Sequence, residues 1–244
     1  MQNVKYESDS GRHPLAILTV TISLLIPVLL SFDQITPILF FFLGLLNLRM
    51  AGTMNWERYF KTLSILSLVG VGLFLLNVLF PAEGVDGVSR GTAVFLRSTC
   101  LISLSVGYIF LVDPYDLIRT LMTDLKLPPR MGFAFFAGWN AIPLLKRDLG
   151  IIQKAHAVRF AGRRRSFQEY LKTAVVLLAG AVRHGERVTL SMAARGIEDA
   201  RNRTFIKQVL WTKVDTLYTV LGCVVALTAG IARLLSETFI FELG

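Results

Sequence analysis

Five stretches of this 244-residue chain are too apolar and too long to be elements of a water-soluble domain. No Asp, Glu, Lys or Arg occurs from His13 to Phe32, 20 residues, or from Thr62 to Ala82, 21 residues. At about 1.5 Å per residue, a helix of about 20 residues crosses the ~30 Å hydrocarbon core of a bilayer. Ile35–Gly52, Gly91–Val112 and Val214–Leu235 are comparable runs. Their only charges are Arg49 in the first, Arg97 in the second, and Asp215 and Arg233 near the two ends of the third. A backbone inside a bilayer must satisfy its own hydrogen bonds, which such runs do as helices. The chain therefore reads as an all-α integral membrane protein with about five transmembrane helices and a cytoplasmic helical domain. Pro27 is tolerated in a membrane helix, and Arg49 can snorkel to the interface. With 53% hydrophobic and 18% charged residues, the composition excludes disorder and a coiled coil. Cys100 and Cys223 lie within apolar runs and read as small buried hydrophobes, not as a disulfide or a metal site.

The net charge of +9 is concentrated in one place. Residues 146–213 hold 15 Lys/Arg against 5 Asp/Glu, whereas the rest of the chain holds 11 against 12. Lys5 and Arg12 precede the first run, and Arg49, Arg58 and Lys61 separate the second from the third. Arg119, Lys126, Arg130 and the basic segment follow the fourth, while the intervening loops carry Asp33, Glu83 and Asp86 with Arg90. By the positive-inside rule, the N-terminus and the basic segment are expected in the cytoplasm. The last run then returns outward and leaves Glu237 and Glu242 outside. No clear basic n-region or cleavage site accompanies the first run, so it is expected to remain as a membrane helix. Three parts follow: a transmembrane bundle over residues 1–112, amphipathic and cytoplasmic helices over 113–213, and a last transmembrane helix with its tail over 214–244.

The middle part carries the distinctive signals. Asp113 before Pro114 is a helix start, and the helix is expected to run to about Leu127, before Pro128-Pro129. A second helix begins near Arg130 and places Ala134, Ala137, Gly138 and Ala141 on one face, where another helix can approach closely. Met131 to Leu145 is apolar but only 15 residues long, enough to enter a membrane partway. Pro143 is expected to bend this helix, which continues to about Ala161 and ends at Gly162. Ser166 and Glu169 form a capping-box pattern opening a further helix that ends at Gly196. Its uncharged centre, Thr173 to Val182, is too short to span and suits the bilayer surface or another membrane subunit. A short helix from Glu198 to about Trp211 then leads into the last span.

These caps put Arg159 and Arg195 alike at the ends of two successive cytoplasmic helices. A cation there complements the negative helix terminus, worth about 0.3–1 kcal/mol. Two such tips on one basic arm also suit a dimeric partner with a pair of acidic grooves, because Arg binds carboxylates in a planar, bidentate manner.

Ser191-Met192-Ala193-Ala194-Arg195-Gly196 resembles the second Ala-Arg-Gly motif of the transmembrane T component of energy-coupling factor transporters, the CbiQ/EcfT family. Asp113-Pro114-Tyr115-Asp116-Leu117, Leu127-Pro128 and Ala141-Ile142-Pro143-Leu144-Leu145 follow that family's order and spacing, and the resemblance covers about residues 110–205. Where the first motif is expected, Val158-Arg159-Phe160 keeps the charge but not the glycine. The resemblance implies a scaffold in a prokaryotic cell (inner) membrane. It would join two ABC-type ATPase subunits to a small membrane substrate-binding subunit for vitamin or metal-ion uptake. It further implies that Arg195, Ala194, Gly196 and Arg159 meet the ATPases and that the Ala134/Ala137/Gly138/Ala141 face packs on the substrate subunit. The lipid bilayer is a partner and nucleic acid is not.

No G-x-x-x-x-G-K-[ST] loop is present, so no cofactor is expected in this chain and ATP belongs to the partners. His13, His156 and His184 lack metal-ligand spacing, and few acidic groups lie in the spans, which argues against an ion path. Two other readings compete. One is a membrane-anchored binder of anionic lipid or nucleic acid through Arg163-Arg164-Arg165. The other is a lipid-metabolising enzyme using Asp113, Asp116 and Asp124, carboxylates that ordinarily cap helices.

Overall fold

The computed structural model describes residues 12–31, 33–81, 86–159, 167–197 and 209–235. Eight helices are formed among them: α1 (Pro14–Leu30), α2 (Ile35–Ala51), α3 (Trp56–Leu79), α4 (Gly87–Leu111), α5 (Pro114–Thr123), α6 (Pro129–Arg159), α7 (Phe167–Ala194) and α8 (Lys213–Leu235). The chain divides into two compact units, Met1–Leu117 with Lys207–Gly244, and Ile118–Ile206.

In the first unit, α3, α4 and α8 are long and apolar enough to cross a bilayer. The apolar helices α1 and α2 are shorter, 17 residues each, at the lower end of what spans. Outward side chains confirm the solvent: Ile65, Leu68, Val69, Leu76 and Leu79 of α3 are all more than half exposed, a continuous apolar face that water would not tolerate. The protein is an all-α membrane protein.

α3 starts at Trp56, before the uncharged run at Thr62, because the Asn55 side chain accepts the Arg58 N–H at 3.2 Å and caps it there. Glu57, Arg58 and Lys61 are thereby carried into its first turns. The last helix is held by a signal of the same kind. Thr212 and Asp215 form a reciprocal capping box: the Thr212 N–H and hydroxyl donate to the Asp215 carboxylate at 2.9 and 2.6 Å, and the Asp215 N–H donates to the Thr212 hydroxyl at 3.3 Å. The other carboxylate oxygen accepts the His13 N–H at 3.2 Å, so one buried acid ties the starts of α1 and α8.

α4 is the centre of this unit. It packs on α3, α2 and α1, and α1 packs in turn on α8. Glycines set the α2–α4 spacing: a Cβ on Gly44 would stand 2.5 Å from Leu104, and one on Gly107 would stand 2.5 Å from both Leu48 methyls. Each helix thus seats a leucine of the other over a bare backbone, the close packing by which membrane helices associate. The buried Tyr59 and Ser103 hydroxyls pair across α3 and α4, 2.6 Å apart. Cys100 is buried and Cys223 half-buried, and both are free thiols. Replacing Gly107 with leucine should lower stability by about 1–3 kcal/mol through overpacking. Thermal unfolding in detergent checks this, with Gly72→Leu as the neutral comparison because nothing lies within 4 Å of its Cβ position.

The helix after Asp113 starts as expected, the Asp113 carboxylate accepting the Tyr115 N–H at 2.9 Å. It ends at Thr123, before the expected Leu127. Lys126 adopts a left-handed φ of 52° and the Leu127 N–H donates to the Leu121 carbonyl at 3.0 Å, so the turn closes ahead of Pro128. Asp124 is exposed and accepts the Thr123 hydroxyl at 3.0 Å. The expected Gly162 and Ser166 caps, the Arg163-Arg164-Arg165 triplet, the 198–208 part of the short helix and the C-terminal tail lie outside the described residues. Residues 209–212 are not helical.

Candidate functional site

The second unit is built on the two longest helices, α6 with 31 residues and α7 with 28. α6 is continuous through Pro143, so the apolar 131–145 stretch and the basic stretch beyond it form one helix. A cleft between the two helices is lined by Asp148, Ile151 and Ile152 on α6 and Val176, Leu177, Gly180 and Arg183 on α7. These segments lie at comparable distances on either side of the 160–166 connection, so the helices run as a hairpin. Arg159, the last residue of α6, stands at the connection end. Arg195 stands at the far end of α7, and 28 residues at about 1.5 Å each make that helix about 42 Å long.

The end of α7 follows from its sequence. The Gly196 N–H donates to the Ala193 carbonyl at 2.9 Å and the Ile197 N–H to the Met192 carbonyl at 3.2 Å, the two bonds of a Schellman motif. Gly196 takes a φ of 67°, which costs glycine nothing and other residues about 1–2 kcal/mol. Ile197 folds back and is buried, leaving Ala193, Ala194 and Arg195 exposed at the tip. Gly196→Val should fray this cap. Amide exchange at Gly196 and Ile197 should accelerate by about tenfold or more, the equivalent of ~1.4 kcal/mol, while exchange in the middle of α7 stays unchanged.

α7 is apolar on two sides. Thr173, Leu177, Gly180 and His184 lie on its covered face. Opposite them, Leu171, Val175, Leu178 and Val182, at i, i+4, i+7 and i+11, are each more than half exposed. The apolar centre of α7 was legible in the sequence, but this division into two faces was not. Only packing shows which side is covered, although the heptad-like spacing of the stripe is a signal that could have been read.

The small-residue face of α6 stands differently from the close helix contact that its pattern suggests. Ala134 and Gly138 are exposed, Ala137 and Ala141 are half-buried, and a Cβ on Gly138 would meet nothing within 4 Å among the described residues. The close approach in this unit is at Gly132, whose Cα hydrogen faces the Met122 side chain of α5. Among the described residues no group of His, Cys, Asp and Glu could hold a metal ion.

The family model described as CbiQ, cobalt transport protein, matches residues 12–206, from the start of α1 to beyond both arginine tips. The energy-coupling factor transporter transmembrane protein EcfT of Streptococcus thermophilus (strain ATCC BAA-250 / LMG 18311) is similar as well, 26% identical over 219 residues, 85% of this chain and 80% of that protein.

Proposed function

Because this chain belongs to the CbiQ family of cobalt transport proteins, we propose that it is the transmembrane component of an energy-coupling factor transporter, transmitting ATP-driven motion of two ABC-type ATPase subunits to a small membrane substrate-binding subunit. The observation that carries this reading is the α6–α7 hairpin with an arginine at each helix end. A dimeric ATPase offers two equivalent grooves, and a hairpin with cationic ends is a rigid lever between them. Arg195, set off by Ala194 and Gly196, seats in one groove and Arg159 in the other. The chain itself is non-catalytic, and ATP is held by the partners. The exposed faces of α6 and α7 meet the substrate subunit: the small residues Ala134, Ala137, Gly138 and Ala141 on one helix, the apolar stripe on the other. The transported species is a vitamin or metal ion chosen by that subunit. The N-terminus and the hairpin lie in the cytoplasm and the C-terminus outside, following the loop charges.

Gentle solubilisation of cells expressing the tagged chain at native level is the direct test. Mass spectrometry of the purified complex should identify ABC ATPases and one small membrane protein, with ATP hydrolysis absent from the isolated chain. Recovery of the chain alone, or with nucleic acid, would refute the assignment.

A further inference from the structure

The membrane unit holds an apolar cleft apart from the α6–α7 hairpin. It lies among α1, α2 and α8 and measures about 240 Å³, with Val20, Leu24, Leu46, Met50, Leu221 and Val225 among its lining. Its polar atoms are turned on each other, the Tyr218 hydroxyl donating to the Asn47 side-chain oxygen at 2.8 Å. Leu46, Met50, Leu221 and Val225 are each between two-fifths and three-fifths exposed, so the cleft opens sideways from the bundle. An acyl chain entering from the bilayer suits so apolar a lining and has no backbone groups to satisfy.

One end of the cleft is cationic. The Arg12 guanidinium lies 5.2 Å from the centroid of the Tyr218 ring and donates to the Met50 and Val214 carbonyls, each at 3.4 Å. This brings the end of α2 and the start of α8 together under one arginine, beside two residues that line the cleft. Arg49 and Lys213, the chain neighbours of Met50 and Val214, are exposed. The acid nearest in sequence, Asp215, is buried and engaged by Thr212 and His13. Apolar slot and cationic rim are thus stacked as the tail and phosphate of a lipid are stacked.

We propose that this cleft holds one anionic phospholipid, an acyl chain between α2 and α8 and its phosphate at the rim of Arg12, Arg49 and Lys213. Each basic side chain near an anionic headgroup contributes about fivefold in affinity, and the slot adds the burial of methylene groups. The site lies wholly within the membrane unit and does not depend on the transport reading.

The test uses the full-length chain in nanodiscs, with phosphatidylglycerol and phosphatidylcholine probes bearing the same photoactivatable acyl chain. Phosphatidylglycerol should label peptides within 43–50 and 218–225 and should exceed phosphatidylcholine by at least about fivefold. Lys213→Gln with Arg49→Gln, which leaves the Arg12 contacts in place, should cut that preference several-fold and leave the part that Arg12 supplies. Leu46→Trp, filling the slot at an exposed position, should remove labelling by both. Equal labelling of wild type by the two probes, labelled peptides elsewhere on the bundle, or labelling undiminished by Leu46→Trp would each overturn the proposal. So would loss of labelling in the assembled transporter with a protein crosslink to Leu46 or Leu221 in its place, which would make the occupant a partner subunit.

Discussion

Arg195→Ala is expected to abolish stable association with the ATPases, or to leave a complex that hydrolyses ATP without transport, while the chain still inserts and folds. The Schellman turn at Gly196 holds α7 to its end and leaves Arg195 exposed there. A guanidinium seated in an acidic groove loses water and gains paired carboxylate bonds. Truncating one partner of such a pair commonly costs about 2–5 kcal/mol, partly because the other charge is left unpaired, a loss of roughly 30- to 4,000-fold in affinity. If Arg195 merely complemented the helix terminus, the cost would be no more than about 1 kcal/mol and would fall on stability, not on association. Arg159→Ala should act in the same direction and more weakly, since Phe160 replaces the glycine of the motif. Arg163→Ala and Arg164→Ala control for general basicity. Copurification and uptake measurements on the four variants decide the matter, and equal loss from the control pair would show that bulk charge, not a seated tip, binds the ATPases.

The second large effect is expected on α7. Leu178→Glu places a carboxylate at the middle of the exposed stripe formed with Leu171, Val175 and Val182. Burying an unpaired charge against an apolar partner costs several kcal/mol, so the substrate-binding subunit should be lost from the complex. The ATPases should be retained, because Arg195 lies several turns away along the same helix. Leu177→Glu, on the covered face, should instead unfold the α6–α7 hairpin and lose every partner. Quantitative mass spectrometry of the two purified complexes separates these outcomes. Retention of the substrate subunit by Leu178→Glu at wild-type level would mean that the stripe faces lipid.

The sequence by itself determined the class, the number of apolar helices and the ends of several of them. The reason is local: twenty uncharged residues have few stable forms in a bilayer, and Asp113 or Gly196 acts on backbone groups within its own turn. The Thr212–Asp215 box was equally local, a four-residue pattern legible in principle, although in an apolar run its acid reads first as a charge near a span end. What the tertiary structure decided is pairing. That Gly44 and Gly107 carry the α2–α4 contact, while Gly138 faces nothing within 4 Å among the described residues, depends on which helices meet. Spacing alone gives all three the same look. Likewise Arg12 reads in sequence as one more positive charge before a span. Only the meeting of α1, α2 and α8, residues some two hundred positions apart, sets it over Tyr218 at the mouth of an apolar cleft. Helix ends are written in contacts of three to five residues, and clefts in contacts between helices, whose choice of partner depends on the shape of the whole bundle.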